Sequence, residues 1–154
     1  MNGKETMNRD IYSFVGHQVK RVQQELRMVM DQALKKQGLT TPQYAALFAI
    51  EQESTASNAK LAKRCFVTPQ TMIRIVGLLY QGGFIEKTDD LDHGRIIQIS
   101  LTGKGKRVLA TSHKAIRDIE KRMLAGFSKQ ELAAFRSRLD QCLKNLIMLR
   151  HEAE

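Results

Sequence analysis

Apolar and polar positions along the chain recur with a helical period over most of its length. From about residue 10 to residue 37, apolar side chains return every three or four positions, which places them on one stripe of a helix. The stripe comprises Ile11, Val15, Val19, Val22, Leu26, Val29 and Ala33. Gly38 supplies the left-handed residue that commonly closes a helix. The segment Thr40-Thr41-Pro42-Gln43 then predicts the cap and first turn of a second helix, which ends near Gln52.

Two shorter helices are predicted next, close together in the chain. Ser57 can cap a helix over residues 58–65, and Thr68-Pro69 opens another that ends at Gly82-Gly83. Two short helices joined by a tight turn form a helix-turn-helix, whose second helix fits the major groove of double-stranded DNA. The alternative is an ordinary pair of surface helices with a solvated polar face.

The period then changes from helical to alternating, which predicts two strands. Residues 84–87 are extended in character, and residues 96–101 alternate between apolar and polar side chains. The polar residues 88–95 between them are too many for a two-residue turn. We therefore expect a β-hairpin with a charged loop. Beside a helix-turn-helix, such a hairpin has the character of a wing that touches the minor groove or the phosphates, and a plain solvated hairpin is the alternative.

Two long helices end the pattern. Thr102 can cap a helix that runs to about Ala125, Gly126 ends it, and Ser128-Lys129-Gln130-Glu131 has the residues of a capping box. The last helix carries its apolar residues at steps of three and four, namely Leu132, Phe135, Leu139, Cys142, Leu143, Leu146 and Leu149. The predicted fold class is mainly α with a small β-hairpin wing: a winged helix-turn-helix plus a helical dimerisation region.

The terminal helices are long for a chain of 154 residues, and their broad apolar stripes have to be covered. Packing against a second copy is the simplest solution, so we expect a homodimer; packing within one chain is the alternative. We expect residues 39–102 to form the DNA-binding domain, and residues 1–38 and 103–154 to form the dimerisation region. A symmetric dimer favours a pseudo-palindromic site with half-sites about 10 base pairs apart.

The charge of the chain favours an anionic partner. Lys and Arg number 25 against 16 Asp and Glu, which gives a net charge of +9 and a pI near 9.8. Nucleic acid is the first candidate and an anionic membrane surface the second. No apolar run approaches the roughly 18 residues of a spanning helix, and no signal peptide opens the chain, so we expect a cytoplasmic protein without a membrane partner. Cys65 and Cys142 form no CxxC pair, and we expect reduced, structural thiols.

The first turns of the predicted helix over Thr68–Gln81 carry side chains that can read DNA. They are Thr68, Gln70, Thr71 and Arg74. A glutamine can pair bidentately with adenine and an arginine with guanine, and threonine hydroxyls reach bases or phosphates. These side chains therefore form the candidate reading edge.

Several segments of this region resemble one family of regulators. They are Leu61-Ala62-Lys63-Arg64, Val67-Thr68-Pro69-Gln70-Thr71, Arg74, Gly82-Gly83, Arg95, Leu101-Thr102 and Gly105. With the order of elements over nearly the whole chain, they make the sequence similar to the MarR (multiple antibiotic resistance regulator) family. The resemblance implies an obligate dimer whose first, fifth and sixth helices interlock, with a winged helix-turn-helix in each subunit. Many members of the family release DNA when a small aromatic or phenolic ligand, or an oxidant, acts on them.

The resemblance also sets the expected DNA contacts, and two positions depart from the family pattern. The expected contacts are Ser57, Lys60, Thr68, Gln70, Thr71, Arg74, His93 and Arg95. Arg95 stands as the wing arginine. His93 stands where the family usually has the aspartate that orients it, with Asp92 beside it, so that pairing is left open. Phe66 stands where the turn between the two helices usually has a small residue, and we expect its ring to be buried as an anchor.

An effector pocket is implied where the first, second and fifth helices meet. His17, Arg21 and Tyr44 can supply a cation and hydrogen-bond donors for a small aromatic acid. The alternative is that all three are ordinary residues of amphipathic helices.

Other chemistry is not indicated by the motifs. The segment Thr102-Gly103-Lys104-Gly105-Lys106 lacks the first glycine of a phosphate-binding loop, because Gln98 stands at that position. The histidines have no metal-ligand spacing and no nucleophile motif is present, so we expect no metal, no cofactor and no enzymatic activity. Two alternative functions stay open: a non-specific, nucleoid-type nucleic-acid-binding protein, and a redox-sensing regulator that uses Cys65.

Overall fold

Six α-helices and one antiparallel hairpin make up the residues that the structure, a computed structural model, describes: 11–53, 57–89 and 97–152. The elements are a 3-10 turn Ile11–Ser13, α1 Val15–Lys35, α2 Thr41–Gln52, α3 Asn58–Arg64, α4 Pro69–Gln81, β1 Ile85–Asp89, β2 Ile97–Leu101, α5 Gly103–Met123 and α6 Lys129–Glu152. The predicted fold class, mainly α with a small β-hairpin, is confirmed.

The first long helix begins later than its apolar period predicts. It starts at Val15 rather than near residue 10, because Phe14 has an extended backbone with φ −71° and ψ 133°. The Phe14 carbonyl accepts hydrogen bonds from the N–H groups of His17 and Gln18, at 3.0 and 3.2 Å. The apolar spacing continues across this break, so the pattern alone did not reveal it.

The predicted caps are present and fix where the middle helices begin. Thr40 accepts from the Gln43 N–H, and the Gln43 side chain accepts from the Thr40 N–H at 2.9 Å, which completes a capping box. Ser57 caps α3 through the Lys60 N–H, and Thr68 caps α4 through the Thr71 N–H. These caps satisfy backbone donors that the first turn of a helix cannot pair internally.

The core of the first unit lies between α2, α3, α4 and the hairpin. Its fully buried large side chains are Leu34, Leu47, Ile50, Leu61, Met72, Leu79, Ile85 and Leu109. Leu34 comes from α1 and Leu109 from α5, so both long helices contribute to it. This core is the platform against which α3 and α4 pack.

The hairpin pairs β1 with β2 in one register, from Ile85 opposite Leu101 to Asp89 opposite Ile97. Ile85, Ile99 and Leu101 are buried against the core, so one face of the hairpin points inward as the alternation predicts. The loop between the strands, residues 90–96, lies outside the described residues.

The start of α5 is fastened to the end of α4 through residues 82–84. The Thr102 hydroxyl donates to the Gly83 carbonyl at 2.7 Å and accepts from the Gly105 N–H at 3.0 Å, so Thr102 is a helix cap as predicted. A Cβ at Gly105 would lie 2.0 Å from the carbonyl oxygen of Phe84. This contact leaves no room for a side chain there and fixes the base of the hairpin against α5.

The residues up to Ile116 form one compact unit, and Arg117–Glu154 form another. In the second unit, α6 has no buried residue, and Cys142 is exposed rather than part of a core. The apolar side chains that α6 exposes are Phe135, Leu139, Leu143, Leu146, Ile147, Met148 and Leu149. The domain boundaries expected from the sequence stay a prediction.

The apolar stripe of α1 is also largely exposed. Val15, Val19, Val22 and Val29 are each between 46% and 68% exposed. Leu34 near the end of the helix is fully buried. Most of the stripe therefore does not join the core of its own unit.

Candidate nucleic-acid interface

The helix-turn-helix is built from α3 and α4, which are joined by the four residues 65–68. Backbone hydrogen bonds hold the turn: the Cys65 N–H donates to Leu61 at 2.9 Å, and the Val67 N–H donates to Ala62 at 3.0 Å. The expectation that Phe66 anchors the turn is wrong, because its side chain is 96% exposed. Its backbone has φ +55°, the left-handed conformation, and the ring is directed to solvent while Cys65 and Val67 pack against the core.

The start of α4 presents the predicted reading edge to solvent. Thr68, Gln70, Thr71 and Arg74 are all exposed. The opposite face of the helix, with Met72, Ile75, Val76 and Leu79, is buried. Because a buried apolar face fixes the rotation of the helix, the polar edge is held outward in one orientation.

Two threonines at the start of α4 restrain each other. The Thr68 hydroxyl accepts from the Thr71 N–H at 3.2 Å, and the two hydroxyl oxygens are 2.9 Å apart. Side chains ordered before contact lose less conformational entropy on binding. The Thr68 and Thr71 hydroxyls therefore form a preordered pair at the end of the helix that would enter a groove.

Lys60 and Arg64 on α3 share one acidic partner that the sequence analysis missed. Both form ion pairs with Glu53 at the end of α2, and the distance from Arg64 to the carboxylate is 2.9 Å. The hydrogen bond from Lys60, helped by the charge of Arg64, lowers the pKa of Glu53 below its ordinary value. Ser57, also expected to contact DNA, uses its hydroxyl to cap α3 and is exposed.

The wing is described at its base and not at its tip. His93 and Arg95 both lie outside the described residues. At the base, the Lys87 ammonium lies 5.1 Å from the centre of the Tyr80 ring, which joins β1 to the end of α4. The base of the hairpin therefore places the positive charge of Lys87 beside α4.

An exposed apolar residue on α4 was also missed. Ile73 is 59% exposed, although it lies between Met72 and Arg74 in the middle of the reading edge. A helical projection of the sequence would have found it, since Ile73 falls off the stripe formed by Met72, Ile75, Val76 and Leu79.

A second polar cluster lies between α2 and α5. The Tyr44 hydroxyl and the His113 Nδ1 are 2.7 Å apart, and the Phe48 ring meets His113 edge to face with centroids 4.9 Å apart. The His113 Nε2 also lies 4.0 Å from a Glu51 carboxylate oxygen. Of the residues proposed for an effector, Tyr44 belongs to this cluster, and His113 is a member that the sequence analysis did not single out.

The other two effector candidates lie on α1. His17 is half-buried, and its ring meets that of Tyr12 at a centroid distance of 5.0 Å. Arg21 is exposed. Both lie within the first two turns of α1, the element that the family resemblance places at the pocket.

Cys65 is half-buried and packs against the core. Burial raises the pKa of its thiol, and the charge of Arg64 opposes that shift only in part. A raised pKa disfavours the thiolate, which is the form that oxidants attack. The environment of Cys65 is therefore that of a structural thiol.

Comparison with known proteins connects this geometry to a group of regulators. The model of the MarR family matches residues 37–96, which include α2, α3, α4 and β1. The HTH-type transcriptional repressor Rv2887 of Mycobacterium tuberculosis is 28% identical over 127 residues, which are 82% of this chain and 91% of the relative. None of the helices in the described ranges has the length and apolar character needed to cross a bilayer.

Solved structures agree in fold. A crystal structure of M. tuberculosis Rv2887 in complex with DNA has a TM-score of 0.68 at 25% identity, with 84% of this chain and 98% of that chain covered. Its complex with salicylic acid has a TM-score of 0.70 at 27% identity, with coverage of 84% and 96%.

Proposed function

We propose that this chain, which is similar to the MarR family of winged-helix transcriptional regulators, represses transcription as a homodimer that is released from DNA by a small aromatic acid. Its target is double-stranded DNA with a pseudo-palindromic operator. The family is one of regulators, and the proposed function needs no catalytic group and no cofactor.

The observation that carries the proposal is the outward polar edge at the start of α4. Gln70 and Arg74 are exposed on the side opposite a buried apolar face. In this proposal Arg74 pairs with a guanine and Gln70 with an adenine in the major groove. The hydroxyls of Thr68 and Thr71, with Ser57 and Lys60 on α3, contact phosphates or adjacent bases.

The wing completes the proposed interface. His93 and Arg95 are proposed to reach the minor groove or the phosphates beside the half-site that α4 reads. A narrow minor groove has an enhanced negative electrostatic potential, which attracts the charged side chain of an arginine. This part of the proposal rests on the family resemblance of the hairpin.

A dimer is supported by the uncovered apolar surface on α1 and α6. Leu146 on α6 is 63% exposed and Val22 on α1 is 56% exposed. Other large apolar side chains on both helices are exposed as well. Soluble proteins rarely leave such stripes in water. A second copy of the chain covers them and places two α4 helices on successive turns of the DNA, about 10 base pairs apart.

The test of DNA reading is Arg74→Ala, compared on a selected site and on random duplex. Loss of a bidentate contact should weaken binding to the selected site by about 1–3 kcal/mol, roughly 5- to 150-fold, and change binding to random DNA little. Lys121→Ala removes one positive charge from an exposed position on α5 and serves as the matched control. Equal losses on both duplexes would remove Arg74 from the reading role.

The effector part of the proposal places an aromatic carboxylate near Tyr44, His17 and Arg21. It is supported by the salicylic acid complex of the M. tuberculosis relative and by the aromatic and polar cluster of Tyr44 with His113. We expect salicylate to weaken binding to the selected site, and Arg21→Gln to reduce that effect by removing the cation. Arg136→Gln on α6 is the control, and an unchanged response in Arg21→Gln would contradict this assignment.

The alternative of a non-specific nucleoid-type protein is supported by the net charge of +9. It predicts that charge supplies nearly all the affinity, with no preference for any palindromic duplex over bulk DNA. A competition experiment between selected and bulk duplexes separates it from the proposed regulator. The redox alternative is disfavoured by the raised pKa of the Cys65 thiol.

A further inference from the structure

The reading helix α4 is unusually poor in charge and exposes an isoleucine. Arg74 is the only charged residue among Pro69–Gln81. Ile73 is 59% exposed, whereas the four apolar residues on the opposite face of α4 are buried in the core. The folded chain therefore gains little from Ile73 in its observed position.

Ile73 lies among the side chains proposed to read bases. In a helix, residues three and four positions apart are neighbours on the surface, so Ile73 is flanked by Gln70 and by Gly77. A Cβ built at Gly77 would meet no atom within 4 Å. The surface beside Ile73 is thus open on the side of Gly77.

An exposed isoleucine at this place is also locally unfavourable. Its β-branched side chain loses rotamer freedom in a helix, and its apolar surface stays in water. A partner that covers it recovers that free energy. The observation is consistent with a partner that has a small apolar group beside Gln70 and Gly77.

We propose that Ile73 contacts the C5-methyl group of a thymine and so determines specificity at one position of each half-site. The methyl group of thymine is the apolar feature of the major groove. This inference rests on the proposed function, because it requires α4 to lie in that groove. It adds an apolar contact to the polar contacts of Gln70 and Arg74.

The experiment removes one symmetry-related pair of methyl groups at a time from the DNA. A duplex selected by the wild-type protein is remade with deoxyuridine in place of symmetry-related thymines, which deletes the C5-methyl and keeps the base-pairing edge. Affinities are measured for the wild type, for Ile73→Ala and for Leu78→Ala. Leu78 is 45% exposed on the other flank of α4 and loses comparable apolar surface.

For the wild type, we expect one thymine pair at which the exchange weakens binding roughly fourfold per half-site, as burial of one methyl group implies. In Ile73→Ala the penalty at that pair should vanish, while Leu78→Ala should retain it. Melting temperatures and sedimentation of the variants should match the wild type, because Ile73 is outside the core.

Three results would overturn the inference, and one of them separates it from the proposed function. If every loss of affinity caused by a thymine-to-deoxyuridine exchange persists in Ile73→Ala, the methyl contact is excluded. The proposed function as a regulator is not affected by that result. If Ile73→Ala dissociates a dimer, Ile73 contacts a second copy of the chain instead of DNA. Failure of the wild type to prefer any duplex removes the proposed function, and the thymine contact with it.

Discussion

Asp31 shows how one carboxylate joins two helices at the level of single residues. It lies on α1 and accepts hydrogen bonds from the hydroxyl and the N–H of Thr41 at the start of α2, at 2.6 and 2.9 Å. The hydroxyl bond from Thr41 is the main reason that the pKa of Asp31 lies below its ordinary 3.8; the charge of Arg27 adds to it and partial burial opposes it.

This lowered pKa predicts a pH-dependent loss of stability. A carboxyl with a lower pKa in the folded state stabilises the fold above its unfolded pKa, and this contribution is lost as the pH falls through the folded value. We expect the free energy of unfolding to decrease below about pH 4 and this part of the decrease to be absent in Asp31→Asn. Denaturant unfolding at several pH values measures it. Asp118→Asn on α5 should keep the full decrease, and an identical decrease in both variants would contradict the assignment.

Single residues were predictable where a local rule decides them. The caps at Thr40, Thr68 and Thr102 follow from residue type and spacing, because the hydrogen bond spans only three positions. Phe66 was misjudged, since side-chain direction there depends on a left-handed backbone that no apolar pattern reveals. The partners of Glu53 were missed because they lie on the next helix, beyond a polar break.

At the level of elements, two glycines in helices have opposite roles. Gly105 lets the first turn of α5 lie against the backbone of Phe84, where a Cβ would be 2.0 Å from the carbonyl oxygen. Gly77 lies in the middle of α4 with open space around the position of a Cβ. The same residue type is required by packing in one helix and not in the other.

The substitution of each glycine by alanine should therefore change stability in opposite directions. Gly105→Ala should destabilise the fold by about 1–3 kcal/mol, because backbone has to move to relieve the overlap. Gly77→Ala should stabilise it by about 1 kcal/mol, since alanine is the better helix former. Denaturant unfolding of the two variants measures both values. A stabilised Gly105→Ala would contradict the close approach of α5 to Phe84.

The order and type of the elements could be predicted because their periods are long and their ends carry caps and glycines. The start of α1 could not, because apolar spacing runs through the extended residue Phe14. The register of the hairpin also needed the structure: the sequence gives the alternation of β2 but not that Ile85 pairs with Leu101. Boundaries depend on backbone geometry that the apolar period does not encode.

At the level of the whole molecule, the exposed stripe of α6 is the main evidence for a second copy. Leu146 is 63% exposed and lies among other exposed apolar residues of the same helix. The sequence predicted that this stripe must be covered. An apolar pattern within one chain indicates that a surface is covered, and the homodimer is our proposal for what covers it.

A charge in this stripe should separate the proposed dimer. Leu146→Glu places a carboxylate where apolar surface would be buried, and desolvation of an unpaired charge is costly. We expect a monomer by sedimentation and a loss of the preference for two half-sites over one. Lys144→Glu, at an exposed polar position of α6, should remain dimeric. A Leu146→Glu variant that sediments as the wild type does would contradict an interface formed by α6.

Glu53 gives the helix-turn-helix a built-in competitor for phosphate. Its carboxylate pairs with Lys60 and Arg64, so in the proposed complex phosphates would gain these two cations only by displacing an internal partner. If the chain binds DNA as proposed, a duplex that also satisfies α4 compensates for this exchange, whereas a duplex of arbitrary sequence does not. The two ion pairs would then shorten the residence time on arbitrary sequence despite the net charge of +9.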